Sequence, residues 1–324
     1  MHPKHHVESR VPDLDLMRDG LKLVTLTFGI ELYTNASFYD HPEAALGSLE
    51  LFYKWCPPDQ LRYYATETMS THKPVTKRVL GMLPTWLKTD APRKKWLALE
   101  LKSSDAYQDA PEFKFHIWAV DASKQANLLS LALPAAWGNE KTAQLLELVQ
   151  SLCDIFPFHS GLAGYALERS HYVLEDSETH AWQASMRHPG TDIVRIPEDA
   201  RASGGNAVKG VGWLTLLGND LVAQLGGLPS LRGKFGSDID LIESKNGVIV
   251  KAGPHPLAGD VNRGDELTLY GQVYDVLAPW IQVAAKQSVC FQLVEDFVER
   301  THAWYARLAT GMATGMALAA THWS

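Results

Sequence analysis

Residues 247–281 read GVIVKAGPHPLAGDVNRGDELTLYGQVYDVLAPWI. Val248 to Val250 is a short apolar strand. It runs into a loop dense in turn residues: Gly253, Pro254, Pro256, Gly259, Asp260, Asn262 and Gly264. Beyond the loop, Leu267, Tyr270, Tyr274, Leu277 and Ile281 recur at spacings of three and four, which places them on one face of a helix. Asp265 stands where a helix cap belongs. Just upstream, Asn246-Gly247 follows the apolar run Ile239 to Ile242, a strong hairpin signal. The stretch is therefore a hairpin, a long ordered loop and an amphipathic helix in succession.

The same patterns extend outward. Val24, Leu26, Phe28, Ile30 and Leu32 alternate along Leu21 to Tyr33 and mark a strand. His41 to Trp55 reads as a helix stopped by Pro57-Pro58, and Leu61 to Thr71 as a strand. Val75 to Leu87 reads as one or two short helices interrupted by Pro84. Lys95 to Ser103 and Pro111 to Ala122 form a strand pair, and Ala126 to Pro134 a third strand. Asn139 to Phe156 is a helix with a stripe of Leu145, Leu148, Leu152 and Ile155. In HSGLAGYALERS the glycines point to a strand lying close to another backbone. Residues 169–209 show no long apolar run, and RASGGNAVKG within and beyond them reads as a loop. Trp213 to Leu217 reads as a buried strand, and Leu221 to Leu225 starts a helix ended by Gly226-Gly227. Cys290 to Leu308 is a last helix, with Phe291, Val294, Val298, Tyr305 and Leu308 on its stripe.

Hairpins mixed with helices, and no glycine-rich phosphate loop, predict an α+β fold with mainly antiparallel sheet packed by helices. Both halves show the order strand–helix–strand, which allows two related half-domains. The expected organisation is a flexible N-terminus at 1–18 and an N-terminal α+β half at 19–156. A C-terminal α+β half follows at 157–308, with a tail at 309–324.

The loop offers no catalytic constellation. It has the pattern P-x-P-x-x-GD-x-N-x-G at Pro254, Pro256, Gly259, Asp260, Asn262 and Gly264, then L-x-x-Y and a closing L-x-P. Together with RHPGTDI at 187–193 and KGVGWLTLLGNDLVAQLGGLPSLR at 209–232, this resembles the TsiV-like family of type VI secretion immunity proteins. The likeness is good over roughly residues 160–282. It implies a protein that binds a cognate type VI effector toxin and blocks it by contact, without cofactor or catalysis of its own. Related immunity proteins stand beside cytoplasm-acting nucleases, which implies a cytoplasmic protein.

Composition agrees with a globular chain: 324 residues, 46% hydrophobic, with no run of ~20 apolar residues to span a bilayer. The N-terminal MHPKHHVESRVPDLD has no apolar core of a secretory signal. Cys56, Cys153 and Cys290 are scattered and read as reduced core thiols. The net charge of −7 is uneven. Residues 72–102 hold eight bases against two acids, so the rest of the chain carries −13. Residues 170–200 hold six acids against two bases. An acidic surface suits a basic partner better than nucleic acid or membrane. Glu175, Asp176, Glu178, Glu198 and Asp199, with Trp182 as an aromatic anchor, are the expected effector contacts; a merely solvated loop is the alternative.

Two other classes stand beside this reading. His255 and Asp260 could serve a hydrolase or toxin-modifying enzyme. The basic stretch 72–102, with Trp86 and Trp96, could bind nucleic acid. Cys153 and His159 lie across a helix end and make a poor dyad. His2, His5 and His6 read as a terminal cluster with no metal role. Most of the ten tryptophans sit in predicted elements, leaving Trp137, Trp182 and Trp323 as the exposed candidates.

Overall fold

A computed structural model describes residues 10–120, 125–288 and 290–310. His2, His5, His6, Trp323 and nearly all of the tail lie outside the described residues. In chain order the strands begin β1 (Leu16–Arg18), β2 (Leu21–Thr34), β3 (Tyr63–Thr66), β4 (Lys73–Pro74), β5 (Trp96–Ser103) and β6 (Phe113–Val120). They continue β7 (Asn127–Pro134), β8 (Ser160–Arg169), β9 (Asp192–Ile193), β10 (Leu214–Gly218), β11 (Ile239–Ser244) and β12 (Gly247–Ala252). The helices begin α1 (Pro42–Tyr53), α2 (Lys77–Leu80), α3 (Met82–Trp86), α4 (Trp137–Glu140) and α5 (Thr142–Ile155). They continue α6 (Leu174–Arg187), α7 (Glu198–Ala202), α8 (Asn219–Gln224), α9 (Gly227–Lys234), α10 (Thr268–Gln287) and α11 (Phe297–Ala306).

All twelve strands join one sheet, in the order β11-β12-β10-β8-β2-β7-β6-β5-β3-β4, with β1 added to β2 and β9 to β8. Every pairing is antiparallel except β8 with β9. The fold is thus α+β, as the hairpin pattern requires. β2 and β8 pair over ten residues in the middle, from Val24↔Arg169 to Tyr33↔Ser160. Both halves of the chain therefore build one sheet. Outward from that join the strands run 2-7-6-5 on one side and 8-10-12-11 on the other, so the two halves do not repeat one strand order.

Alternation gives the sheet two different faces. Phe28, Ile30 and Leu32 of β2 share one face with Leu129 and Leu131 of β7 and Phe115 and Ile117 of β6. This face meets α1, whose Phe52 ring lies 5.8 Å from that of Phe115, and α1 packs on α5. Each fully buried Leu or Phe here stabilises by roughly 1.5–3 kcal/mol. The opposite face is polar. Register places Glu31 beside Ser130, Ser130 beside His116, and His116 beside Glu100, a row crossing four strands. All four are buried.

The glycines of β8 act as the sequence suggests: a Cβ on Gly161 would sit 2.5 Å from the Glu31 carbonyl oxygen. The hairpin at Asn246 forms, with Ser244 paired to Gly247. Asn246 does more than turn the chain. Its Nδ2 donates to the carbonyls of Cys153, Asp154 and Phe156 at 3.0–3.1 Å, closing the end of α5. Asn246→Ala should therefore cost about 2 kcal/mol, from net contributions of ~0.5–1.5 kcal/mol per hydrogen bond. Urea unfolding followed by tryptophan fluorescence measures it.

Several expectations are corrected. Residues 169–209 contain the fourteen-residue α6, whose buried face is Ser177, Ala181, Ala184 and Ser185. Small polar residues gave no apolar period to read. RASGGNAVKG is irregular after α7, but Ala207, Val208 and Lys209 are buried. Asp265 does not cap α10: Leu267 holds the cap position, and Asp265 Oδ2 accepts from the Asp260 N–H. Ile155 and Val298, read as core, are exposed. Trp96, placed with the buried tryptophans, is 46% exposed, while Trp137 is half-buried. The three cysteines are free and buried, as expected.

Candidate functional site

The signature loop and the RHPG segment clasp each other. Arg187, the last residue of α6, donates from Nε and Nη2 to the two carboxylate oxygens of Asp260, at 3.1 and 2.8 Å. This bidentate pair holds the Asp260 carboxyl below its ordinary range, and Arg187 above its own. Asp260 Oδ1 also accepts from the Asn262 N–H at 3.0 Å, fixing the turn at 261–263. His188 Nδ1 lies 2.5 Å from the Gly259 carbonyl oxygen. Gly190 N–H donates to the Ala258 carbonyl at 2.9 Å. A Cβ on Gly190 would sit 2.0 Å from the Leu257 carbonyl oxygen, so the position admits only glycine without backbone movement. Tyr270 Oη accepts from the Leu257 N–H at 3.0 Å, which explains the tyrosine of L-x-x-Y. The loop is thus tied at both ends and in the middle.

A cleft opens beside this clasp. It is lined by Arg10, Asp13, Arg187, His188, Asp260 and Arg263, among others, with room of about 230 Å³. His188 lines it, whereas His255 does not. Burial pushes the His188 ring below its ordinary pKa, and its Nδ1 is engaged by a carbonyl. Asp260 is held by Arg187. The hydrolase reading needs Asp260 beside His255, whereas Asp260 is committed to Arg187 and His255 does not line this cleft. Cys153 is fully buried and burial pushes its thiol pKa upward, so it is no nucleophile.

The predicted contact residues fall in different settings. Glu175 is exposed on the first turn of α6, and Asp176 pairs with Arg18. Glu178 accepts from the Leu293 N–H at 3.4 Å and lies 4.0 Å from Arg169. Trp182 is half-buried; its Nε1 donates to the Arg300 carbonyl, and the Arg300 guanidinium lies 4.4 Å above its ring. Glu198 lies 3.9 Å from Arg201. Asp199 is not at the surface: it is fully buried. Glu175, Glu178 and Trp182 share one side of α6 and Asp176 lies on another, beside Arg18, whereas Asp199 belongs to the interior.

Asp199 joins a charged cluster that sequence reading missed. Lys209 Nζ lies 2.7 Å from Glu31 Oε2, 2.6 Å from Asp192 Oδ2 and 2.7 Å from Asp199 Oδ2. It also donates to the Ile193 carbonyl at 2.9 Å. Arg195 donates to Asp199 at 2.9 Å and packs over the Trp304 ring at 4.4 Å. Burial opposes a charge on Lys209, but Asp192, Asp199 and Glu31 hold its pKa above the ordinary value. Burial, against the pull of Lys209, pushes Glu31 up to about 7. A second polar group lies at the other end of the row. Glu100 accepts from or pairs with His72 at 3.1 Å and His116 at 3.6 Å, while Lys114 donates to both oxygens of Glu168. Burial depresses His116 to about 3, so it stays neutral. Among the described residues, no group of three or more His, Cys, Asp or Glu is placed to hold a metal ion.

The basic stretch is partly engaged within the fold. Lys102 is buried and donates to the carbonyls of Tyr107 and Asp109. Lys94 bonds Glu67 and sits 3.7 Å above the Trp86 ring, and Arg93 pairs with Asp40. Trp86 is therefore taken up by a lysine, leaving Trp96 as the open ring of that stretch. Among the described residues, no helix is long and apolar enough to cross a membrane.

Comparison with known proteins adds to this geometry. The family model described as TsiV, type VI immunity for VRR-NUC, matches residues 45–308. The match spans both the α6 segment and the signature loop. No curated protein sequence matches the chain. Among solved structures, the Pseudomonas aeruginosa T6SS protein PA0821 has a similar fold, with a TM-score of 0.79 at 18% identity. The alignment covers 96% of this chain and 92% of that one.

Proposed function

The chain belongs to the TsiV family of type VI immunity proteins, and from that premise we propose that it binds and neutralises a VRR-NUC nuclease effector in the cytoplasm. The observation that carries this reading is the family match over residues 45–308, most of the chain. The protein acts by contact and without turnover. Its interior supports that role: the charged groups of the fold are tied to one another, and the signature loop is a structural clasp. A nuclease must present a basic cleft to its polyanionic substrate. An inhibitor of net charge −7 is attracted to that cleft and competes with DNA for it. Of the expected contact set, Glu175, Asp176 and Glu198 can reach a partner, while Glu178 is largely covered and Trp182 half-buried. A stable complex requires an interface on the order of 1,600 Å².

The test is co-expression with the effector encoded beside this chain's gene, carrying an inactivated nuclease domain. A complex that survives size-exclusion chromatography is expected. So is loss of DNA cleavage when the purified chain is added to active effector. Absence of a complex together with undiminished cleavage would overturn the reading. Binding of DNA by the chain alone, falling steeply with salt, would favour the basic stretch at 72–102 instead.

A further inference from the structure

We infer that the effector docks on a ledge formed by residues 293–299 and the first turns of α6, with Phe297 and Val298 as its apolar anchors; this rests on the immunity reading above. The inward stripe of α11 is Thr301, Trp304 and Tyr305, all buried. Helical spacing carries that stripe back one turn onto Phe297 and Val298. There it runs past the edge of the fold: Phe297 is 36% exposed and Val298 49%. Leu293 just before them is 50% exposed, and Leu174 at the start of α6 is 44% exposed.

Two contacts tie this segment to α6. Leu174, Glu178 and Trp182 lie four residues apart along α6 and share one face. Glu178 accepts from the Leu293 backbone, and Trp182 donates to the Arg300 carbonyl. The face of α6 and segment 293–300 therefore run side by side, with Leu174 one turn before Glu178 on the first and Leu293, Phe297 and Val298 along the second. An apolar strip of this kind, left open beside two ordered helices, marks an interaction site.

The surrounding charge says what covers it. Glu295, Asp296 and Glu299 are exposed beside the apolar groups, and Glu175 is exposed across from them on α6. None of these four has an ion-pair partner among the described residues. An apolar centre with an acidic rim fits a basic surface that also offers an apolar pocket. The DNA cleft of a nuclease has that character: cations for phosphates and apolar or aromatic groups for sugars and bases. The acids would steer the encounter, and Phe297 and Val298 would slow dissociation.

The test uses the full chain and the nuclease-inactive effector. Phe297→Ser with Val298→Ser should speed dissociation and weaken binding by about a hundredfold. Glu295→Lys, Asp296→Lys and Glu299→Lys together should slow association by about tenfold or more and reduce its salt dependence. Glu50→Lys, Glu140→Lys and Glu147→Lys together, on exposed positions of α1, α4 and α5, control for net charge. Hydrogen exchange of residues 293–300 should slow when effector is added. If both ledge variants bind as the wild type does, or the ledge gains no protection in the wild-type complex, the ledge is not the docking site, while the immunity reading stands. If the wild type itself fails to bind, both fall together. A ledge covered by the chain's own residues 311–324 would show as unchanged binding by both variants, which also overturns it.

Discussion

Lys209→Met should leave little folded protein at neutral pH. The ammonium is fully buried and touches three carboxylates, those of Glu31, Asp192 and Asp199. Removing one partner of a single buried pair costs about 3–5 kcal/mol, because the other charge stays uncompensated. Here three carboxylates lose their nearest cation together. Arg195 still bonds Asp199, but Arg307 lies 3.9 Å from Asp192 and is no substitute. The loss is comparable to the whole stability of an ordinary domain, about 5–15 kcal/mol. The defect should also depend on pH in a definite sense. Burial already raises Glu31 to about 7 even though Lys209 pulls it down, so the variant raises it further. A carboxyl with a folded pKa above its unfolded value is held neutral at low pH without penalty, and the penalty grows as pH rises from the unfolded pKa to the folded one. Below about pH 7 Glu31 is protonated in both folded proteins and adds nothing to the gap, so its contribution should open as pH rises from about 7 to 9. Urea midpoints for the wild type and osmolyte-induced folding for the variant, across that range, measure it. A gap that is flat, or narrows with rising pH, would remove Glu31 from the account.

The same cluster shows where sequence reading stopped. Lys209 stands in RASGGNAVKG, whose glycines and small polar residues describe a surface loop well. Nothing local marks its lysine as buried. Its partner Glu31 is 178 residues away, and only the β2–β8 pairing brings the two together. Asp199 was misplaced for the same reason: a charge is read as solvated unless its counter-charge is in view. By contrast, β2 and the 246–281 stretch were legible because periodicity and turn chemistry are local. The α6 helix was not, since small residues let it pack without an apolar stripe. Phe297 and Val298 mark a subtler limit. Spacing puts Val298 on the last helix's inward stripe and passes over Phe297, and it cannot say where the rest of the fold stops covering that side.

Gly190→Ala should unfold the clasp and, with it, most of the protection the protein gives. The added methyl would stand 2.0 Å from the Leu257 carbonyl oxygen and 2.9 Å from Leu267 Cδ1. A backbone oxygen cannot swing aside as a flexible side chain can, so the two strands of the clasp must separate by about 1 Å or more. That movement breaks the Gly190–Ala258 hydrogen bond and misaligns the Arg187–Asp260 pair, whose two bonds depend on a planar fork. Overpacking alone costs about 1–3 kcal/mol, and the lost hydrogen bonds bring the total to about 3 kcal/mol or more. Gly233→Ala supplies the contrast. A Cβ there meets nothing within 4 Å, and the residue lies in α9, so the change should stabilise by about 0.5–1 kcal/mol. Thermal melts of both variants, with protection from effector toxicity scored beside them, separate two roles for the family signature. If the clasp only maintains the fold, Gly190→Ala loses protection at high growth temperature and recovers it at low temperature, where enough folded protein survives. If the loop itself meets the effector, protection fails at both temperatures, since the displaced loop is wrong even in molecules that stay folded. The geometry favours the first result. Asp260 and the Gly259 carbonyl face Arg187 and His188, and Tyr270 holds the Leu257 N–H, so these polar groups of the loop are spent within the protein, while Asn262 and Gly264 stay exposed at its tip.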